Sequence, residues 1–155
     1  GIHKEPVAVE WLSGACLAAR GEVWDKVGYL DESWFIYAED MEWCHRVGSA
    51  GYQLHYLPDV TVYHIWGAAS KGTASGVSTM WLDSIASWHN RNHSRISTSL
   101  MMIVLAMGLG LRYILHKLKA LKTRQAKWSV EADYMRRCSA RAFIIAFAGP
   151  KGGKP

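Results

Sequence analysis

The alternation of hydrophobic and polar positions near the start of the chain predicts short strands and helices in turn. A strand is predicted where every second residue is apolar: Val7, Val9 and Trp11. A helix is predicted from Gly21 to Gly28, because an apolar stripe recurs there at helical spacing and glycine is a common C-terminal stop. The mixture of strands and helices indicates the α/β class.

A longer helix is predicted from Glu39 to Ala50. Small or apolar residues recur there at helical spacing, which predicts one buried face: Tyr37, Met41, Cys44 and Gly48. Two β-like runs follow, Gln53 to Leu57 and Val60 to His64, on either side of a proline-containing turn signal. Because strand side chains alternate between two faces, we expect His64 at the end of the second strand, on the side that packs.

The carboxyl-terminal half of the chain has helical periodicity. A helix is predicted from Met80 to Asn92, with Trp81, Ile85 and Trp88 on one apolar face. The preceding stretch, Lys71 to Ser78, is rich in glycine and other small residues. It is expected to be a linker, with a loop that orders over a substrate as the alternative. We therefore divide the chain into residues 1–77 and residues 78–155.

Residues 96–111 form the most apolar run of the chain. A helix of this length spans about 24 Å, which is short of the ~30 Å hydrocarbon core of a bilayer. Three interpretations stay open: a tight crossing in which Arg112 snorkels, a helix that lies in the membrane interface, or a buried helix of a soluble core. Interfacial attachment is favoured, with one stripe facing the lipid: Ile96, Leu100, Ile103, Met107, Leu111 and Ile114.

Charge is distributed unevenly along the 155 residues, whose formal net charge is +5. Residues 1–77 carry five Lys or Arg against ten Asp or Glu, giving −5, and residues 78–155 carry thirteen against three, giving +10. The basic stretch from Arg112 to Arg141 favours an anionic membrane surface on the cytoplasmic side. Nucleic acid is the rival partner, but it is not expected because no recognised binding motif appears.

The remaining composition sets the cellular context. Half of the residues are apolar and a fifth are charged, as in an ordered globular chain. The three cysteines form no CxxC pair, so we expect reduced and mostly buried thiols rather than disulfides or a zinc site. No signal peptide is expected, and the chain is expected to be a piece of a longer protein.

Candidate chemistry centres on a cluster of five acids: Asp31, Glu32, Glu39, Asp40 and Glu42. Acids at a helix N-terminus are often simple caps on a solvated turn, and this interpretation stays open. Aromatic rings beside carboxylates, here including Trp34, are also typical of pockets that hold sugars. The small residues Gly14 and Ala15 suit either core packing or the close approach of a ligand.

Between Trp11 and Ser70 several motifs follow one another in a specific order. They are G-A-C, a helix ending in V-G, then D-E-x-x-F-x-Y-x-E-D, a helix ending in glycine, and P-x-x-x-V-x-H. As a composite, the segment resembles the second half of the catalytic domain of the inverting glycosyltransferases of family 2, especially rhamnosyltransferase-like members. The resemblance implies the carboxyl-terminal half of a GT-A nucleotide-diphospho-sugar transferase domain. The apolar and basic residues beyond it predict that membrane-associating helices follow this half-domain.

The resemblance also implies roles for individual residues. Asp40, with Glu39 beside it, matches the motif whose aspartate removes the proton from the acceptor hydroxyl. His64 matches a histidine that joins a divalent metal, Mg²⁺ or Mn²⁺, on the donor diphosphate. Trp66 lies where acceptor contacts occur in some members, and Gly14 and Ala15 match the segment beside the donor sugar. The implied reaction transfers a sugar from a nucleotide-diphospho-sugar to a lipid-linked or saccharide acceptor.

One departure from the family pattern is clear. The chain contains no Asp-x-Asp metal motif and begins too late to hold the nucleotide-binding half of such an enzyme. We therefore expect a carboxyl-terminal fragment that is inactive alone, with the remaining metal ligands supplied by the missing half. The alternative interpretation is a noncatalytic, membrane-binding helical module.

Overall fold

The computed structural model describes residues 4–34, 37–64 and 78–150. The chain divides into two compact units, Gly1–Ala68 and Ala69–Pro155. Residues 65–77 lie outside the described residues. The predicted boundary after residue 77 is at the end of this stretch, and most of the predicted linker lies within it. The described residues are mainly helical, with one small two-stranded sheet.

The amino-terminal unit has the order strand, helix, helix, strand. Its elements are β1 (Val7–Val9), α1 (Gly21–Val27), α2 (Glu39–Ser49) and β2 (Leu54–Tyr56). The two strands pair antiparallel, so the strand near the start and the first of the two β-like runs are confirmed. Both helices are also confirmed, and each is followed by a glycine with positive φ, Gly28 at +82° and Gly51 at +88°.

The core of this unit forms where α2 packs on α1 and the sheet. Its buried side chains are Val23, Trp43, Cys44, Val47 and Leu54. The predicted buried face of α2 is therefore wrong by part of a turn, since Cys44 is buried but Gly48 is exposed. The face of α2 that is buried is the one that carries Trp43. The Trp43 indole N–H donates to the Gly28 carbonyl at 2.8 Å, and its ring stacks on Trp24 with centroids 4.3 Å apart.

Replacing Trp43 by Phe should destabilise the amino-terminal unit by about 1–3 kcal/mol, because the Gly28 carbonyl loses its donor while an aromatic ring is kept. Hydrogen exchange at the amides of α2 would measure the loss. Trp24→Phe is the matched control, since Trp24 contributes a stacked ring to the same contact. Equal losses in the two variants would contradict the importance of the indole hydrogen bond.

The second β-like run, Val60 to His64, was predicted as a strand, and that prediction is wrong. None of these residues lies in a strand, and all of them are exposed. A strand requires a hydrogen-bonded neighbour, and the sheet in the described part of the chain consists of β1 and β2 alone. His64 is accordingly not at a strand end on a packed face.

The carboxyl-terminal unit contains three helices: α3 (Met80–Asn92), α4 (Arg95–Thr123) and α5 (Ala126–Ala148). The helix predicted at Met80–Asn92 is confirmed at both ends. Helices α4 and α5 form an antiparallel hairpin: Ser139 donates to the Ala106 carbonyl at 2.8 Å and Ser99 to the Ala146 carbonyl at 2.7 Å. A residue with positive φ, Arg124, turns the chain between them.

The core of this unit lies between the three helices. It consists of Leu82, Ala86, Met102, Ala106, Leu109, Cys138, Ala142, Ile145 and Ala146. On α3 the buried residues are Leu82, Ala86 and Ser87, so the predicted face of that helix is turned from the face that packs. The stripe predicted to face lipid on α4 is largely exposed to solvent, with Ile96 74% and Met107 69% accessible.

Polar side chains attach α3 to the hairpin. The Arg141 guanidinium pairs with the Asp83 carboxylate, with Nε donating to Oδ2 at 2.9 Å, and both side chains are 16% exposed. The His89 ring lies 2.9 Å from the Thr98 hydroxyl at Nδ1. The Trp81 indole N–H donates to the Tyr134 hydroxyl at 3.1 Å. These contacts fix the helix over the hairpin.

Candidate functional site

The structure brings two of the predicted site residues into direct contact. The backbone N–H of Gly14 donates to Asp40 Oδ2 at 2.7 Å, across 26 residues of sequence. The other carboxylate oxygen, Oδ1, accepts from the Met41 N–H at 2.8 Å. Each oxygen of Asp40 therefore has one backbone donor, which fixes the orientation of the carboxylate and leaves further lone pairs for a ligand.

The Gly14 backbone and the Asp40 side chain approach each other closely. A Cβ at Gly14 would lie 3.3 Å from the Cβ of Asp40, tighter than most real Cβ contacts, and 3.5 Å from Oδ2, an ordinary contact distance, so a side chain at this position would displace Asp40 slightly. The sequence interpretation of Gly14 weighed core packing against the close approach of a ligand or of another backbone, and what the structure brings against the Gly14 backbone is the Asp40 side chain. Gly14 is itself exposed, so the contact lies at the surface of the unit.

The backbone just before Asp40 is strained. Tyr37 and Ala38 both have left-handed conformations, with φ of 64° and 70°, which non-glycine residues rarely adopt. Such conformations cost roughly 1–2 kcal/mol each and concentrate at functional sites. The two left-handed residues turn the chain immediately before α2, and Glu39 and Asp40 then occupy the first turn of that helix.

Glu39 has an unusual environment for an acid in a first helical turn. Its side-chain oxygen Oε2 is shielded from solvent and has no hydrogen-bond partner among the described residues. A buried acceptor without a partner is costly, and such groups in native structures are often functional. Helix capping alone accounts for Asp40 Oδ1, which accepts a first-turn N–H, but it does not account for Glu39.

Arg46 secures the loop that leads from α1 toward the acids, and sequence reasoning did not assign it a role. Its guanidinium pairs with Glu42 at 2.7 Å and donates to the backbone carbonyls of Val27, at 2.5 Å, and Tyr29, at 2.8 Å. The spacing of Glu42 and Arg46 on one helix predicts the ion pair, but the two carbonyl contacts depend on how α1 packs.

Behind the acids the side chains belong to the core. Trp43, one of the aromatic residues near the carboxylates, is 1% exposed and therefore has no surface for a sugar. Burial raises the pKa of the Cys44 thiol; the Leu12 carbonyl contact lowers it to a smaller extent, and the negative charge of Asp40 raises it further. Cys44 and Cys138 are buried thiols, as predicted, whereas Cys16 is exposed.

The other predicted site residues lie apart from this contact or outside the described structure. Ala15 is exposed, and its N–H donates to the Ser13 hydroxyl at 3.3 Å. Trp34 is buried, with 8% of its surface accessible, so most of its indole packs against protein. His64 is exposed. Trp66 lies in the stretch 65–77, outside the described residues.

A divalent cation needs several ligands that converge on one point. Within residues 4–34, 37–64 and 78–150, no group of three His, Cys, Asp or Glu side chains is arranged to hold a metal ion. A hard cation such as Mg²⁺ takes about six ligands, most of them oxygen. The described residues therefore do not fit such an ion by themselves.

The link between Gly14 and Asp40 gives a direct spectroscopic prediction. In ¹H–¹⁵N spectra of the chain, the Gly14 amide proton should lie downfield, and Asp40→Asn should move it upfield, because a hydrogen bond to a charged acceptor is replaced by one to a neutral oxygen. The Ser33 amide, which donates to Asp31 Oδ1 at 2.8 Å, is the internal control and should keep its position in the variant. A Gly14 amide that ignores Asp40→Asn would contradict the contact.

Comparison with known proteins identifies the relatives of this chain. It is 43% identical over 56 residues to the N-acetylglucosaminyl-diphospho-decaprenol L-rhamnosyltransferase of Mycobacterium tuberculosis, a match that covers 36% of this chain and 18% of that enzyme. It is 33% identical over 63 residues to the rhamnosyltransferase WbbL of Escherichia coli, covering 41% and 24%. The chain contains a rhamnosyltransferase-like segment.

A third relative agrees with this identification. The rhamnosyltransferase-like segment is 41% identical over 49 residues to the dTDP-rhamnosyl transferase RfbF of Shigella flexneri, covering 32% of this chain and 17% of that protein. The chain thus spans about a fifth of the length of these curated relatives. No family model matches the chain. No solved structure matches it at a significant level.

Proposed function

We propose that the rhamnosyltransferase-like segment is part of a GT-A glycosyltransferase of family 2, in which Asp40 acts as the general base. The single observation that carries this proposal is the contact between Gly14 and Asp40 at the strained start of α2. A carboxylate held by backbone donors on both oxygens is preorganised for one task. The similarity to named rhamnosyltransferases supplies the reaction class.

In the proposed reaction the acceptor is a sugar hydroxyl, which is a poor nucleophile. Asp40 would take its proton as the oxygen attacks the anomeric carbon of the donor, and the nucleoside diphosphate would leave from the opposite face. One displacement with one base inverts the anomeric centre. Positioned general bases of this kind accelerate reactions by about 10² to 10⁴. Glu39, beside Asp40, would contribute a second negative charge, which favours transfer of the acceptor's proton to Asp40.

The substrates follow from the names of the relatives. The Mycobacterium tuberculosis enzyme is named for rhamnosyl transfer to an N-acetylglucosaminyl-diphospho-decaprenol, and the Shigella flexneri protein for dTDP-rhamnose. For this chain we propose a deoxyhexose or hexose donor linked to a nucleoside diphosphate, and a lipid-linked or saccharide acceptor. The nucleotide site would lie in a preceding half, so that this chain is a fragment without activity of its own.

This chain would supply a single ligand to the divalent cation that we propose for the whole enzyme. His64 is exposed and could donate one imidazole nitrogen to Mg²⁺ or Mn²⁺, with the remaining ligands coming from the nucleotide-binding half. The ion would neutralise charge on the leaving diphosphate. Because the described residues of this chain do not form a metal site, the role of Asp40 is proposed independently of it.

The proposed function is tested by sugar transfer with and without the Asp40 carboxylate, in an enzyme that joins this chain to a nucleotide-binding half. The second candidate function is a noncatalytic helical module that binds membranes. It is favoured by one observation, the apolar residues that α4 exposes to solvent. Unchanged transfer in Asp40→Asn would remove Asp40 from the role of base and leave the second candidate.

A further inference from the structure

Helix α4 exposes a continuous apolar surface along most of its length. Nine of its side chains, between 48% and 76% accessible, form what we call the apolar arc: Ile96, Leu100, Val104, Met107, Leu111, Ile114, Leu115, Leu118 and Leu121. Since each helical residue advances by about 100°, these nine fall within roughly 120° of the helix circumference. They therefore make one face and not a scatter of exposed residues.

The opposite face of α4 is the one that packs. Thr98, Met102, Ala106 and Leu109 are buried within the unit, on the side away from the apolar arc. The arc is thus additional to the core and is not needed to hold the hairpin together. Soluble monomers rarely expose a contiguous apolar surface of this extent, and such surfaces usually mark an interaction site.

The apolar arc continues onto α5. A shallow groove of about 770 Å³ between the two helices is lined by Met107 and Ile103 from α4 and by Phe143 and Ile144 from α5. Phe143 is 57% and Phe147 68% accessible. The exposed aromatic rings widen the surface at the end of the hairpin that lies away from the turn.

Basic side chains border the arc. By helical position, Arg112 and Lys119 lie beyond one margin and Lys117 beyond the other, and all three are exposed. Lys122, Arg124 and Lys127 follow at the turn of the hairpin and are also exposed. Helix α4 contains no acidic residue. Its charge therefore complements an anionic partner on both sides of an apolar strip, which is the arrangement expected for a lipid surface.

The length and the partner helix indicate how the hairpin meets that surface. From Ile96 to Leu121 the arc extends for about 38 Å, which exceeds the ~30 Å hydrocarbon core. Within the described part of the chain, α4 is the one helix that is long and apolar enough to cross a membrane. Helix α5 carries Asp133, Arg136 and Arg137 on partly exposed positions, and a crossing would bring these charges into the hydrocarbon.

We propose that the α4–α5 hairpin lies flat on an anionic membrane, with the apolar arc and Phe143 in the acyl boundary and the flanking lysines and arginines on lipid phosphates. The face covered by α3, with its Asp83–Arg141 pair, stays on the aqueous side. This attachment goes beyond sugar transfer and does not depend on it. It would hold the chain at the surface where a lipid-linked substrate is found.

The proposal is tested by flotation of the full chain with vesicles of phosphatidylcholine and phosphatidylglycerol, against vesicles of phosphatidylcholine alone. The wild-type chain should float with the anionic vesicles and at least about 100-fold less with the neutral ones, because every flanking basic side chain then loses its anionic partner. Val104→Asp combined with Leu111→Asp should lower partitioning roughly 100-fold, because two arc side chains become charged. Circular dichroism would establish that the helices of the variant are retained.

Three further variants separate the arc from general effects of charge. Val60→Asp alters a valine of the amino-terminal unit that is 59% exposed, and it should leave flotation unchanged. Lys117→Ala combined with Lys119→Ala should reduce binding to anionic vesicles by about tenfold or more, with little change on neutral vesicles. Asp40→Asn should bind as the wild type does, because the attachment is independent of the acid.

Other occupants of the arc would give different results. If the wild-type chain did not float, or if the Val104/Leu111 variant floated equally well, membrane attachment through the arc would be wrong. A dimer in sedimentation velocity that dissociates in that variant, without vesicle binding, would assign the arc to a second copy of the chain. Retention on vesicles after an alkaline carbonate wash would replace flat attachment by a membrane span.

Discussion

Asp40→Asn is expected to lower sugar transfer by a factor of about 10² to 10⁴ in an enzyme that joins this chain to a nucleotide-binding half. Asparagine keeps the size of the side chain and one oxygen that can accept from the Gly14 N–H, although its amide nitrogen cannot accept from the Met41 N–H, and it cannot take a proton from the acceptor. The loss should therefore appear in kcat, with KM for the donor little changed. Product formation from a nucleoside-diphospho-sugar and a lipid-linked acceptor would measure it.

The control for this prediction is Asp31→Asn. Asp31 also holds a backbone N–H with its carboxylate, that of Ser33 at 2.8 Å, and it belongs to the same acidic stretch. We expect its replacement to alter transfer by less than about tenfold, because it is not held against Gly14. Equal losses in the two variants would point to the overall negative charge and not to one base. No transfer by the wild-type enzyme would contradict the proposed function itself.

Arg141→Ala should lower the free energy of unfolding of the carboxyl-terminal unit by about 3–5 kcal/mol. Arg141 and Asp83 are each 16% exposed, and they join α5 to α3 by two hydrogen bonds. Removing the guanidinium leaves a largely buried carboxylate without its cation, which costs more than the pair itself contributes. Urea denaturation followed by circular dichroism would measure the change.

The exposed pair on the same helix is the matched control. Arg136 bonds to Asp133 at 2.8 Å, but their side chains are 58% and 52% accessible, so Arg136→Ala should cost less than about 1 kcal/mol. Replacing both Asp83 and Arg141 by apolar residues of similar size should restore much of the loss, since neither charge is then left alone. A double variant as unstable as Arg141→Ala would contradict this explanation.

The sequence pattern was most informative where local rules apply. Helix α3 occurs at the predicted ends, and the helices before Gly28 and Gly51 end at the predicted glycines, because capping and periodicity are properties of a few neighbouring residues. The motif order around Glu39 and Asp40 also identified the relatives correctly. Which face of a helix is buried was predicted less well, since that depends on the element packed against it.

The sequence alone therefore determined α1, α2 and α3, the acidic first turn of α2 and the likeness to rhamnosyltransferases, whereas α4 runs on to Thr123 and α5 was not predicted. Only the tertiary structure decided that Gly14 and Asp40 meet, that Val60 to His64 is not a strand, and that α4 exposes one apolar face and buries the other. Helix formation follows from contacts between neighbours along the chain. A hydrogen bond across 26 residues, or the choice of a buried face, follows from packing that residues far apart in sequence make together.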